Sequence, residues 1–380
     1  MNFTDRIERI DPSPTLAMSA KADEMRASGA DVISFSAGEP DFDTPEPIVD
    51  ADRARPPEAA ERALEAGKTR YTATQGIAPL RRAIAEDYQR RGRDVDADQV
   101  VTTVGAKHSL YNASQVLFES GDRVIVPSPY WVSYPAQLEL AGAEPAVLEC
   151  DSETNFKVTP ERLERAIVDW DASGVILCSP DNPTGAVYTE EELQALGEVL
   201  VRHEEVAIVF DAIYDELSYR NDLSADLVAT VPELADRTVT VNGFSKSHAM
   251  TGWRLGYTIG PHEVIDAMTK LQSQATSNVT TFVQHAALEA FELDPSVVEH
   301  FRSTFRERRD LVVERLQSMP GIECDMPEGA FYVFPDVSTY SGDERRFDDD
   351  WAMAEHLLEE AHVATVPGSA FGAPGYVRLS

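Results

Sequence analysis

The 380-residue sequence predicts an α/β fold, with a large domain built on a mostly parallel central sheet and a smaller α+β domain after it. Three observations point there. Short, nearly uninterrupted apolar runs recur through the middle of the chain, as strands covered on both faces require. A helical segment with its own start signal falls between them, giving the alternation of a crossover connection. From Pro295 onward the texture changes to a long charged helix and short isolated apolar runs.

The strand candidates are Val124-Ile125-Val126, Val175-Ile176-Leu177-Cys178, Val206-Ala207-Ile208-Val209-Phe210 and Val239-Thr240-Val241. Between the second and third, Thr189 to His203 reads as a helix. Thr189 is the N-cap and Glu192 stands at N3, a capping box ahead of Leu193, Leu196 and Leu200. In the later region Val298 to Met319 is a helix candidate with Phe301, Phe305, Leu311, Val312 and Leu316 as its apolar set. The runs Phe331-Tyr332-Val333-Phe334 and Val363-Ala364-Thr365-Val366 follow, with Trp351 to Glu360 helical between them. Gly342 to Asp350 carries five acids among nine residues and reads as a solvated loop. The expected organisation is an N-terminal segment, 1–45, packing with the small domain, a large domain over 46–290 and a small domain over 291–380.

Composition excludes several classes of function. Sixty-six acidic residues against 33 basic ones give a formal charge of −33, although 43% of the chain is hydrophobic. Such a surface repels nucleic acid and anionic membranes, which share its sign. It reads as a solvated acidic shell adapted to a very salty cytoplasm, as in a halophilic archaeon, where counterions screen self-repulsion. Cys150, Cys178 and Cys324 are odd in number and far apart, so neither a disulfide framework nor a metal site is expected. The N-terminus lacks an apolar signal region and no run reaches membrane-spanning length, which points to a cytoplasmic protein. No glycine fingerprint for a dinucleotide occurs where a first strand meets a helix.

The polar signals sit at strand ends, where open sheets bind ligands. Ser179-Pro180-Asp181-Asn182-Pro183-Thr184-Gly185 follows one strand, Asp211-Ala212-Ile213-Tyr214 the next, and Asn242-Gly243-Phe244-Ser245-Lys246 a third. Lys246 is a primary amine beside small residues, able to join an aldehyde cofactor, and Arg254 lies eight residues on, able to hold a dianion. Each has a plainer alternative: Asp211 could cap a helix, Asn182 could start a turn before Pro183, and Tyr214 and Trp131 could be packing. As chemistry, Asp211 would hold a pyridine nitrogen protonated, and Trp131 would offer a stacking surface to a flat heterocycle.

Together these residues resemble the fold type I, pyridoxal phosphate-dependent aminotransferases of class I/II, in the branch that contains prokaryotic aspartate aminotransferases. The likeness runs from Ser36-Ala37-Gly38-Glu39-Pro40-Asp41-Phe42-Asp43-Thr44-Pro45, through Ser128-Pro129-Tyr130-Trp131-Val132-Ser133-Tyr134-Pro135, to Tyr376-Val377-Arg378-Leu379-Ser380. It implies that Lys246 forms the internal aldimine, Asp211 pairs with the ring nitrogen, Asn182 and Tyr214 address O3′, and Trp131 stacks on the ring. It further implies that Arg254, Ser245 and the backbone of Gly105-Ala106-Lys107 grip the phosphate at a helix start. Tyr71 would reach the phosphate of a neighbouring subunit, making a homodimer with shared active sites. Arg378 would clamp the substrate α-carboxylate beside the Gly38 amide, and Lys107 would address a distal carboxylate.

The implied reaction moves an amino group from L-aspartate or a similar amino acid to 2-oxoglutarate by a ping-pong mechanism, with Lys246 as base and then acid. Aromatic or prephenate-type substrates, or a lyase reaction on the same ring contacts, are the alternatives; a DNA-binding regulator would need a basic extension that is absent. Three departures from the family pattern stand out. The stretch Asp50 to Pro57 is long and carries two prolines. His248 replaces an aromatic and is expected to pack. The chain stops two residues after Arg378, where relatives continue through a strand and a final helix; unless neighbouring structure holds it the clamp frays, so either an incomplete C-terminus or a weakened enzyme is expected.

Overall fold

A computed structural model describes residues 3–49, 59–220, 225–342 and 345–380; the 50–57 departure lies outside them. The strands are β1 (Ile33–Ser34), β2 (Val100–Thr103), β3 (Arg123–Ser128), β4 (Glu144–Glu149), β5 (Gly174–Cys178), β6 (Ala207–Asp211), β7 (Thr238–Gly243), β8 (Gly256–Ile259), β9 (Val363–Ala364), β10 (Val366–Pro367) and β11 (Val377–Arg378). Seven of them form one sheet in the order β2-β8-β7-β6-β5-β3-β4. Every neighbouring pair from β7 to β4 is parallel, and β8 alone runs against both of its partners.

The sheet is parallel because its strands are apolar on both faces and are joined by helices. Side chains alternate across a strand. Val175 and Leu177 of β5 and Ile208 and Phe210 of β6 therefore face Leu163, Leu193, Leu196 and Leu200 from the helices Pro160–Trp170 and Glu190–Arg202. Ile176 and Val209 face the opposite layer, with Leu110, Leu138 and Met268 from the helices Ala106–Leu117, Ser133–Ala141 and His262–Ala275. Leu163 is fully buried, so its truncation to alanine costs about 2–5 kcal/mol.

The capping box forms as the sequence predicts. The Thr189 hydroxyl accepts from the Glu192 N–H at 3.1 Å and the Glu192 carboxylate accepts from the Thr189 N–H at 2.8 Å, which starts the helix at Glu190.

The later region departs from expectation in three places. The long helix spans Ser296–Gln317, but Val313 rather than Val312 turns fully inward and Leu311 is 54% exposed. The inward face is set by Phe301 and Phe305, against which Phe42 packs; the Phe42 and Phe301 rings stack at 4.2 Å. Phe331 to Phe334 forms no strand, only an isolated bridge between Val333 and Leu379; the Phe331 ring packs on Phe305 and Tyr214, and the Phe334 ring stacks on Tyr376. Nor is the acidic segment wholly solvated. Asp349 caps the helix Asp350–Ala361, and Asp350 is buried, accepting from the Ser369 backbone at 2.6 Å and from its hydroxyl.

The N-terminal helix Pro14–Ala27 buries Met18 and Ala22 against Ala354 and Leu358, and β1 pairs in parallel with β9. This brings the segment after β1, including Gly38, to the ends of β6 and β7. The three cysteines are buried free thiols. Among the described residues there is no cluster able to hold a metal ion, and no helix is long and apolar enough to cross a membrane.

Candidate active site

The ends of β5, β6 and β7 open into one cleft of about 470 Å³. Asn182, Asp211, Tyr214, Ser245 and Lys246 line it from those strand ends, and Gly38, Ala106, Lys107, Trp131, Arg254 and Arg378 line it from other elements. Parallel strands present their C-terminal ends together, which gathers Asn182, Asp211 and Lys246, while the pairings β1–β9 and β10–β11 bring in Gly38 and Arg378, 340 positions apart in sequence.

Asp211 is the last residue of β6 and is 3% exposed. Its Oδ1 accepts from the Ile213 N–H at 3.1 Å and its Oδ2 from the Tyr134 hydroxyl at 2.8 Å. Burial raises its pKa to about 6, while these two hydrogen bonds pull the other way. Lys246 follows β7. Its Nζ donates to the Gly38 carbonyl and lies 5.8 Å from the Phe331 ring centroid. Burial and then the Arg378 charge bring its pKa down to about 8, against the opposing pull of Glu39 and Asp211. A lysine near 8 exchanges protons close to neutrality, as a general base must.

At the other end of the cleft the helix Ala106–Leu117 begins after Gly105, whose φ of +80° favours glycine. A Cβ there would stand 2.7 Å from Arg254 Nη2, so the missing side chain lets the guanidinium close on the helix start. Arg254 itself adopts a φ of +54° and donates to the Thr251 carbonyl at 2.7 Å. The start of this helix and the Arg254 guanidinium lie together, with Ser245 lining the same cleft, an arrangement able to hold an anion.

Arg378 is 2% exposed. It sits on β11, where it pairs with Val366 of β10. One terminal nitrogen donates to Asn182 Oδ1 at 3.1 Å and the other to the Ser36 carbonyl at 2.7 Å, while Nε has no partner. The rings of Tyr332 and Phe371 lie 4.7 and 5.1 Å from the guanidinium carbon. Burial lowers its pKa, and no carboxylate of the described residues pairs with it, which leaves a buried cation facing the cleft. Neighbouring structure holds the strand, the condition under which the clamp does not fray. Leu379 and Val333 exchange two backbone hydrogen bonds at 2.9 Å, and the Ser380 N–H donates to the Phe35 carbonyl at 3.0 Å.

The remaining expected residues fall as follows. The Trp131 ring lies 5.0 Å from Lys107 Nζ and meets Tyr134 edge-on at 5.5 Å. Lys107, exposed at the cleft mouth, has its pKa lowered by partial burial of its ammonium and by Arg254. Tyr214 shares a 2.6 Å hydrogen bond with Tyr332. Tyr71 is 89% exposed and does not line this chain's cleft. His248 is buried, with its Nδ1 2.7 Å from the Ser247 hydroxyl and its ring edge-on to Phe244.

Tyr134, Tyr332, Ser13 and Thr15 also line the cleft, and none of them is individually singled out by the sequence as a site residue. Tyr134 lies in the first turn of the helix Ser133–Ala141 and meets Trp131, which precedes that helix, edge-on. Ser13 and Thr15, with their hydroxyls 3.0 Å apart, belong to no pattern in the sequence.

A family model described as aminotransferase class I and II matches residues 30–380. The chain is 46% identical over 382 residues to an aspartate aminotransferase of Geobacillus stearothermophilus, covering 100% of this chain and 94% of that protein. It is also 46% identical over 384 residues to an aspartate/prephenate aminotransferase of Cereibacter sphaeroides, with the same two coverages. Among solved structures, the aspartate aminotransferase of Rhizobium meliloti superposes with a TM-score of 0.92 at 39% identity, covering 100% of this chain and 94% of the other. That of Thermus thermophilus with maleate does so with a TM-score of 0.91 at 42% identity, covering 100% and 95%.

Proposed function

This chain belongs to the class I and II aminotransferase family and is a pyridoxal phosphate-dependent enzyme, and on that premise we propose that its cleft moves the amino group of L-aspartate to 2-oxoglutarate. The residues present fit the cofactor. The corner of Gly105, Ala106, Ser245 and Arg254 suits its phosphate, the Lys246 amine its aldehyde, Asp211 its ring nitrogen, Asn182 and Tyr214 its phenolic oxygen, and Trp131 its flat face. Bound there, pyridoxal phosphate supplies an electron-withdrawing ring that spreads the electron pair left when a Cα–H bond breaks.

The protein's own side chains supply the rest. Arg378 receives the α-carboxylate on its planar fork, and Asn182 holds that fork in place, so the substrate enters with its Cα–H bond oriented toward Lys246. Lys246 Nζ, poised near 8, accepts the Cα proton and later returns a proton as an acid. Lys107, with the Ser13 and Thr15 hydroxyls, offers donors to a second carboxylate at the mouth of the cleft. Alternating donor and acceptor at one site gives ping-pong kinetics.

Tyr71 completes the site from a second copy of the chain. Its side chain stands clear of its own cleft, so a homodimer with shared sites is the arrangement in which it reaches a phosphate. Small amino and oxo acids are the partners, and the acidic surface disfavours nucleic acid and anionic membranes. A cytoplasmic location suits this chemistry.

The observation that carries the proposal is the buried, carboxylate-free Arg378 facing Lys246 across the cleft. A half-reaction with L-aspartate tests it: oxaloacetate as the product supports transfer, and pyruvate or alanine would assign the chain to the lyases instead. The Trp131 wall beside Lys107 favours one second reading, an aromatic or prephenate-type substrate. Half-reactions with phenylalanine, tyrosine and aspartate in parallel separate the two.

A further inference from the structure

Asp211 carries a hydrogen bond that its own strand does not supply. The Ile213 N–H on Oδ1 comes from the turn after β6, and any residue at 213 except proline would provide it. The Tyr134 O–H on Oδ2 comes from the helix Ser133–Ala141, 77 positions earlier, and lies at 2.8 Å. Tyr134 is itself 3% exposed. It also touches the wall of the cleft, meeting Trp131 edge-on at 5.5 Å. On the strand beside it, Cys178 is in register with Asp211, and its thiol is a further hydrogen-bonding neighbour of the Tyr134 hydroxyl.

We infer that Tyr134 is a positioning residue whose hydroxyl, by donating to Asp211 Oδ2, keeps that carboxylate ionised and fixed in orientation, and so decides where the proton between Asp211 and the cofactor's ring nitrogen resides. This rests on the assignment of Asp211 to that nitrogen. The other charged and titratable groups around Asp211 do not substitute for Tyr134. Lys246 favours the ionised acid, and Asp215 and Asp181 oppose it. Cys178 is held as a thiol by burial, and burial together with Asp211 holds Tyr134 as a neutral phenol, which remains a donor across the working range. Without the phenol, the Ile213 N–H is the one hydrogen bond left to the buried carboxylate, with Lys246 adding only its charge.

The test uses holoenzyme loaded with pyridoxal phosphate labelled with 15N in the ring, comparing parent, Tyr134→Phe and Asp211→Asn at neutral pH. Phenylalanine keeps the ring against Trp131 and removes only the donor. The parent resonance is expected at the position of a protonated pyridine. In Tyr134→Phe it moves toward the neutral value, as the proton shifts to the carboxyl by about 10- to 100-fold. The turnover rate with aspartate falls by about tenfold or more while KM stays within about twofold, a split that loss of packing would not give. A Tyr134→Phe resonance and rate matching the parent, with Asp211→Asn displaced, would overturn the role of Tyr134 alone. An Asp211→Asn resonance that stays at the protonated position would overturn the assignment beneath it.

Discussion

Replacing Arg378 with lysine isolates what the planar fork contributes, because the positive charge remains. In the structure the two terminal nitrogens are held by Asn182 Oδ1 and the Ser36 carbonyl, and Nε is free of protein partners. A substrate α-carboxylate therefore meets a guanidinium already fixed in its plane, between the rings of Tyr332 and Phe371. Lysine loses one charge-assisted hydrogen bond to the substrate, about 1.5–3 kcal/mol, and leaves Asn182 or Ser36 short of a donor, about 1 kcal/mol more. A loss of about 2.5–4 kcal/mol lowers kcat/KM for aspartate by about 70- to 900-fold. Single-turnover half-reactions, followed by the visible absorption of the cofactor, measure this directly. β-Alanine, which is aspartate without its α-carboxylate, should react equally slowly with both proteins. A variant within about threefold of the parent on aspartate, or an equal penalty on β-alanine, would refute the clamp.

Three further outcomes follow from the same geometry. Lys246 has its pKa lowered from 10.5 to about 8 in the fold, so the unfolded chain binds more protons between those values, and cofactor-free protein gains stability as pH rises through that window. Urea unfolding should show the deficit of the parent relative to Lys246→Met shrinking from pH 8 to 10.5 by up to about 3 kcal/mol, and a constant difference would contradict the buried amine. Arg91 pairs with Asp215 at 2.6 Å, Asp87 at 2.9 Å and Glu216 at 3.0 Å, so Arg91→Met strands acids directly after Tyr214 and should cost about 3–5 kcal/mol by denaturant titration. The charge of −33 predicts a Tm that climbs with KCl as the screening length falls from about 30 Å at 0.01 M to about 3 Å at 1 M, measurable by scanning calorimetry.

Four of the seven strands of the central sheet, β3, β5, β6 and β7, were legible because each carries an apolar run buried on both faces; β2, β4 and β8 were not, since their runs are short or mixed with polar residues and β4 is half-exposed. The site at its edge was legible for the same reason: Asn182, Asp211 and Lys246 each stand just beyond such a run. The later region was harder to read. Phe331 to Phe334 has the composition of a strand, but Phe331 packs on Phe305 and Tyr214, Phe334 stacks on Tyr376, and backbone pairing is limited to Val333 and Leu379. Arg378 looked exposed to fraying because local sequence does not reveal that Val333, Phe35 and Val366 grip its strand from segments far away in the chain. The bond from Tyr134 to Asp211 was invisible for a similar reason. A hydrogen bond across 77 positions leaves no periodicity to detect, and only the packing of the helix Ser133–Ala141 against the sheet creates it.

Borohydride reduction of the holoenzyme, followed by peptide mass mapping, tests the central claim most directly, since it makes permanent whatever bond joins the cofactor aldehyde to the protein. The geometry of the cleft predicts the added mass on the peptide that contains Lys246 and its disappearance in Lys246→Ala. Label on another lysine, or an unmodified Lys246 in fully loaded protein, would contradict it.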